Sequence, residues 1–146
     1  MGRIWFIAED ESGYQIAREI LKRRGIPVQV ELRLPAGKNP NIFKLAAQID
    51  RLIATVRQDP KWNTTDCIAV LHDWDIHRQP DRTAYDSLRL RCEYHKKTGL
   101  PIKEVIAKDE IESWLIADTG ICTWLGQKPD KKCDTQQKPT DILDTW

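Results

Sequence analysis

Two aspartates, Asp73 and Asp75, stand one residue apart at the end of the most apolar run of the chain, Cys67 to Leu71. Two carboxylates at this spacing repel each other unless a proton or a cation compensates their charge. In an extended strand, alternate side chains share a face, so both carboxylates can point one way with Trp74 opposite. Paired oxygen ligands of this kind suit a divalent cation, and we therefore expect a metal ion at this point of the chain.

Acidic residues also follow two other apolar runs. The acids after residues 3–8 are Glu9, Asp10 and Glu11, and those after residues 101–107 are Asp109, Glu110 and Glu112. Because the carboxyl ends of parallel strands share one edge of an open sheet, where ligands bind, we expect the three loops to meet there. Oxygen ligands without a cysteine or histidine cluster favour Mg²⁺ or Mn²⁺ over zinc. Two such ions about 3.5–4 Å apart can clamp a phosphodiester for in-line attack, with Glu9, Asp73 and Asp75 as the expected ligands.

Several of these acids also have a structural interpretation. Ser12 or Asp10 can cap the first helix, Asp109 can cap a later helix, and Asp81 can cap the third. Glu112 falls on a predicted helix, where a glutamate is commonly a solvated surface residue.

The elements that must position these side chains alternate between strand and helix. Apolar or alternating patterns predict strands at residues 3–8, 28–34, 67–72 and 101–107, and the second has a wetter face typical of a sheet edge. Apolar residues at helical spacing predict helices at residues 12–24, 42–57, 81–97 and 110–118. This order predicts an α/β domain with a four-stranded, mainly parallel sheet flanked by helices. Residues 127–146 form a polar tail that ends on the first turn of a helix, either cut off in a fragment or docked as a short helix.

Composition excludes little. The chain of 146 residues fits one domain with a real core, and its formal net charge of +1 gives no sign for or against nucleic acid. No apolar stretch approaches the roughly 18–20 residues of a membrane span, and the apolar N-terminal run is too short for a signal peptide. Four widely spaced cysteines without a C-x-x-C motif indicate reduced thiols. We therefore expect a cytoplasmic protein that does not associate with membranes.

The order of these motifs resembles the TOPRIM domain of topoisomerases, bacterial primases and OLD-family nucleases. In that family an acidic turn follows the first strand and a D-x-D motif ends a hydrophobic strand, as Glu9 and Asp73-x-Asp75 do here. The segment IAKDEIESWLIAD, residues 106–118, is also similar to the E-x-E-x-W-L-x-A-D signature of small stand-alone TOPRIM-like proteins. The resemblance covers about residues 3–125 and implies a Rossmann-like TOPRIM fold over residues 1–126. The chain departs from the family at Asp10, where the family has glycine.

The resemblance implies a Mg²⁺-dependent enzyme that acts on nucleic-acid phosphodiesters, specifically a nuclease in defence or DNA repair. Glu9 would be the general acid/base or a metal ligand. The full set of metal ligands would be Glu9, Asp73, Asp75, Glu110 and Glu112. Lys108, near the same edge, would stabilise charge on a phosphate, or is an ordinary solvated lysine.

Basic residues follow the D-x-D motif, and Arg78 and Arg82 are the candidates for contact with a nucleic-acid backbone, DNA rather than RNA. Two other functions stay open. A non-catalytic TOPRIM-like module would keep the fold and act through a protein partner. A receiver-like domain would accept a phosphoryl group on one aspartate, but it expects a serine or threonine after the fourth strand, where this sequence reads AKDE.

Overall fold

A computed structural model describes residues 2–74 and 81–108, and in these residues four strands alternate with three α-helices. Strands β1 to β4 are Gly2–Ala8, Val28–Arg33, Cys67–Trp74 and Ile102–Lys108. Helices α1 to α3 are Glu11–Arg23, Ile42–Gln58 and Thr83–Lys97, and a 3₁₀ helix, Pro60–Thr64, follows α2. Each of these seven elements was predicted to within two residues at either end. The predicted fourth helix and the polar tail lie outside the described residues.

The four strands form one parallel sheet in the order β2-β1-β3-β4. Ile4 of β1 lies opposite Val30 of β2 on one side and Cys67 of β3 on the other. The chain therefore starts at the centre of the sheet, moves outward to β2 and returns across β1 to β3. Parallel neighbours need such crossover connections, and helices fill them here. The predicted α/β class is confirmed, and β2 occupies the predicted edge position.

The helices cover both faces of the sheet. On one face, the ring of Phe6 meets the ring of Tyr14 from α1 edge to face, with centroids 5.8 Å apart. Phe6 lies opposite Ala69, so His72, three residues further along β3, points to the other face. There its ring lies 5.7 Å from that of Tyr85 on α3, and α3 packs against α2. The fold is thus a three-layered, Rossmann-like α/β arrangement.

The core lies between the two central strands and the α2–α3 layer. Its largest fully buried side chains are Trp5, Ile7, Leu45, Ile49, Leu52, Ile53, Val56, Ile68, Val70, Leu88 and Cys92. Burying each large aliphatic side chain stabilises the fold by about 1.5–3 kcal/mol. Because both central strands contribute to this core, the backbone at their carboxyl ends is fixed by packing on either side.

The chain divides into two compact units. The first comprises residues 1–72 and 81–105 and contains the three helices, β1, β2 and most of β3 and β4. The second comprises residues 73–80 and 106–146, of which the structure describes only 73, 74 and 106–108. Across the described ranges, no helix is both long enough and apolar enough to span a bilayer.

Candidate functional site

The acids that follow β1 have different roles. β1 ends at Ala8, which is buried, and the chain then turns into α1 through Glu9 and Asp10, both half-buried. The carboxylate of Asp10 accepts a hydrogen bond from the backbone N–H of Gly13 at 3.1 Å, which makes Asp10 the N-cap of α1. A cap of this kind satisfies one of the N–H groups that the start of a helix leaves without an intrahelical partner. The interpretation of Ser12 as the cap is wrong, because Ser12 is already the second residue of the helix.

The third acid of this turn, Glu11, is also part of the helix. It opens α1 as its first residue, and its carboxylate accepts a hydrogen bond from the side-chain amide of Gln15 at 3.3 Å. A negative charge in the first turn is stabilised by the helix dipole. Asp10 and Glu11 thus have structural roles, and Glu9 is the acid that directly follows the strand.

Asp73 lies within β3 rather than in the loop after it. The strand extends to Trp74, two residues beyond the predicted end, so Asp73 is its penultimate residue and is half-buried. Alternation along the strand directs Asp73 to the face opposite His72. Asp73 therefore lies in the last part of a strand with an extended backbone, whereas the sequence predicted it in the loop that follows.

The other predicted site residues are only partly described. Asp75, Arg78, Glu110 and Glu112 lie outside the described residues, and Lys108 is the last residue of β4. Within residues 2–74 and 81–108, no group of three or more histidine, cysteine, aspartate or glutamate side chains is arranged to hold a metal ion. The five-ligand metal site therefore stays a prediction, of which the described chain contains Glu9 and Asp73.

The start of α3 differs in detail from its prediction. Arg82, exposed, occupies the N-cap position and makes no side-chain capping bond. Asp81, the predicted cap, stands one residue earlier and accepts hydrogen bonds from the backbone N–H and the hydroxyl of Thr83, at 2.9 and 2.7 Å. These bonds to Thr83 lower the pKa of the Asp81 carboxyl.

A buried polar pair beside Asp73 was not anticipated from the sequence. The side chain of His72 is 1% exposed, and its Nε2 lies 3.0 Å from Oε1 of Glu104 on the neighbouring strand β4. Arg89 of α3 approaches the other oxygen of Glu104, at 3.8 Å from its Nε. A buried carboxylate is costly unless it is paired and hydrogen-bonded, and both conditions are met here.

The ionisation of Glu104 reflects two opposing effects. Burial raises the pKa of its carboxyl, whereas the hydrogen bond and charge of His72 and the charges of Arg89 and Lys96 lower it. The net result is a pKa below the ordinary value of 4.5, so Glu104 is a carboxylate at neutral pH. The pair thus joins the end of β3, one residue before Asp73, to β4 and α3.

The sequence contained one signal for this pair. Glu104 interrupts the apolar pattern of IKEVIAK, and a charged residue within a strand often has a buried partner. Nothing in the spacing identified His72 as that partner, because the two residues are 32 positions apart and meet only through the order of the strands.

Comparison of the chain with protein-family models, with curated proteins and with solved structures finds no match. The strand order β2-β1-β3-β4 corresponds to the first four strands of a doubly wound order, 2-1-3-4-5, whose ligand site lies at the switch point between β1 and β3. At that point one connection leads to one side of the sheet and the next leads to the other. Glu9 directly follows β1, and Asp73 is the penultimate residue of β3.

Proposed function

We propose that the chain is a Mg²⁺- or Mn²⁺-dependent enzyme that acts on nucleic-acid phosphodiesters, a nuclease of the TOPRIM type. The observation that supports the proposal most is the switch point between β1 and β3, two neighbouring strands that are followed or ended by acids. Doubly wound sheets bind ligands in the crevice outside the carboxyl ends of such strands. The resemblance of Glu9 and the D-x-D motif to TOPRIM domains supplies the class of reaction.

The types of ligand fit the metal. Glu9 and Asp73 supply hard carboxylate oxygens, which Mg²⁺ and Mn²⁺ prefer, and Asp10 is occupied as a helix cap. We propose that Glu9, Asp73 and Asp75 hold the ion, with Glu110 or Glu112 completing its ligands. When bound, the metal would polarise the phosphate and offset its negative charge.

The remaining residues would bind and orient the substrate. Glu9 follows β1 directly, so its carboxylate would accept or donate the proton at the attacking or leaving oxygen. Lys108, the last residue of β4, would lie against a phosphate oxygen, and Arg78 and Arg82 would contact the flanking backbone.

The same strand order supports a second candidate, a receiver-like phosphoacceptor domain. That class uses the 2-1-3-4-5 sheet and accepts a phosphoryl group on an aspartate at the end of β3, the position of Asp73. A non-catalytic module that acts through a protein partner would also keep this sheet. Incubation with acetyl phosphate, followed by intact-mass measurement, distinguishes the receiver: one phosphoryl adduct in the wild type that Asp73→Asn removes would favour it.

The deciding experiment is calorimetric titration of Mn²⁺ and Mg²⁺ into the wild type and the Asp73→Asn/Asp75→Asn variant. Asp86→Asn, at an exposed site in the first turn of α3, is the matched control for loss of a carboxylate. We expect binding in the wild type and in the control, and none in the double variant. The variant should be as stable as the wild type without metal, or more stable, because the repulsion between the two carboxylates is gone.

Activity is then tested on plasmid DNA, single-stranded DNA and RNA with each metal. Metal-dependent cleavage that both Glu9→Gln and the double variant abolish supports the nuclease. Wild-type protein that binds no metal, alone or with a non-hydrolysable phosphorothioate oligonucleotide, would refute the metal-dependent enzyme and leave the binding module.

A further inference from the structure

A wide cleft of about 690 Å³ lies between α1 and β2, in the first compact unit. Its charged lining residues in the described chain are Arg3, Arg18, Lys22, Lys61 and Glu31. The lining thus contains four cations and one carboxylate, although the whole chain is nearly neutral with a net charge of +1. Positive charge, which the overall composition does not reveal, is concentrated in this concave surface.

Two of the four cations are already paired with the single acid. Glu31 Oε1 accepts hydrogen bonds from Arg3 Nη1 at 2.6 Å and from Lys61 Nζ at 3.0 Å. Arg18 and Lys22 are exposed and make no ion pair with any described residue. The cleft therefore presents two cations that its own residues do not neutralise.

Together with Tyr14, these two cations form a row along α1. Tyr14, Arg18 and Lys22 are spaced four residues apart, so their side chains lie on one side of the helix. At 1.5 Å per residue the row is about 12 Å long. It begins in the first turns of α1, which follow Glu9, and it ends in the last turn, near the opposite edge of the sheet.

We propose that this cleft binds the sugar–phosphate backbone of a single nucleic-acid strand, with Arg18 and Lys22 each contacting a phosphate. The inference deepens the proposed function and rests on it for the identity of the ligand. With a volume of about 690 Å³ the cleft has the size of a small-molecule site, so it can hold a few nucleotides of one strand but not a duplex. A basic groove beside an aromatic residue is the usual surface for single strands.

The row of cations also defines a path for the nucleic-acid strand along α1. A backbone that follows α1 from Lys22 to Tyr14 arrives at the turn that carries Glu9, where the proposed metal site begins. The cleft would hold the substrate away from the reacting phosphate, and loss of its cations should weaken binding without removing metal ions.

The test is fluorescence anisotropy of labelled oligo-dT and oligo-rU, measured with EDTA so that no metal takes part. The Arg18→Glu/Lys22→Glu variant is compared with wild type and with Arg57→Glu/Lys97→Glu. The control reverses two exposed cations in the last turns of α2 and α3 and changes the net charge equally. Loss of two phosphate contacts should weaken binding roughly 25-fold at 0.1 M salt and reduce the slope of log K against log salt by about 1.4.

Each outcome decides the proposal. A selective loss in the cleft variant supports it, whereas equal affinity in all three proteins, or equal loss in both variants, overturns it. Circular dichroism checks the fold, and the milder Arg18→Gln/Lys22→Gln variant replaces the reversal if that unfolds. If the wild type binds poly-glutamate as tightly as oligo-dT, the ligand is an acidic protein. If thymidine monophosphate competes with oligo-dT at equal concentration, the ligand is a free phosphate. Either result overturns the assignment to a single nucleic-acid strand. Because metal is absent, failure here leaves the titration of Asp73→Asn/Asp75→Asn unaffected, and failure there leaves this binding unaffected.

Discussion

The buried pair of His72 and Glu104 should stabilise the fold far more than an exposed pair of the same length. Their closest atoms are 3.0 Å apart, and the side chains of His72 and Glu104 are only 1% and 9% exposed. Glu104 is a carboxylate at neutral pH, so the hydrogen bond that it accepts involves a charged group. We expect Glu104→Gln to lower the free energy of unfolding by about 1.5–3 kcal/mol, the range of such a bond.

An exposed pair in the same protein provides the control. Lys96 Nζ and Glu93 Oε1 are also 3.0 Å apart, but both side chains are more than a third exposed. Glu93→Gln should therefore change stability by less than about 0.5 kcal/mol. Urea denaturation at pH 7 measures both variants, and a double-mutant cycle of His72→Gln with Glu104→Gln isolates the coupling. Equal effects of the Glu104 and Glu93 variants, or additive single effects within about 0.5 kcal/mol, would refute the reasoning.

The pair also predicts a pH dependence of stability. The pKa of Glu104 is lowered in the folded chain, so the folded state holds its proton less tightly than the unfolded state does. A depressed folded pKa stabilises the protein above the unfolded pKa, and this contribution is lost as the pH falls through the folded pKa. The difference in the free energy of unfolding between wild type and Glu104→Gln should therefore reach its full size at pH 6. It should decrease when the pH falls below the ordinary pKa of a glutamate, 4.5. A difference that stays constant down to pH 3 would contradict this assignment of charge.

Two further predictions concern helix ends and faces. Asp10→Ala should lower the free energy of unfolding by about 1 kcal/mol because it removes the cap of α1, and Ser12→Ala should lower it by less than half of that. If urea denaturation shows the larger loss for Ser12→Ala, Ser12 is the cap. Leu88→Ala should lower the free energy of unfolding by about 2–5 kcal/mol because Leu88 is fully buried, whereas Leu90→Ala, at a site 70% exposed, should change it by less than about 0.5 kcal/mol. Similar losses for the two variants in thermal unfolding would show that α3 buries a different face.

The sequence predicted the elements well because each has its own local signal. The continuous apolar run of β1, the 3.6-residue period of α2 and Gly25 after α1, with a φ of +67°, can each be recognised without knowledge of the rest of the chain. The edge position of β2 was also predictable, because Val28, Val30 and Leu32 alternate with polar residues.

The features that were missed depend on contacts between distant residues. Asp10 and Ser12 are both good caps, and only the path of the chain into α1 decides between them. The basic cleft joins residues of β1, α1, β2 and the 3₁₀ helix, and in the sequence Lys22 is simply a cation near a helix end. A local sequence pattern does not reveal which strands and helices become neighbours in the fold. Neither the His72–Glu104 pair nor the cleft could therefore be predicted.

The edge strand β2 also affects how the protein behaves at high concentration. An exposed edge offers unpaired backbone groups to a strand of another molecule, which can lead to aggregation. Glu31 and Arg33 alternate along this six-residue strand and are held by partners in the same chain, Arg3 and Asp59. A strand that added here would have to bury this row of fixed charges beside its own side chains. The ion pairs of β2 therefore oppose the addition of another strand at this edge of the sheet.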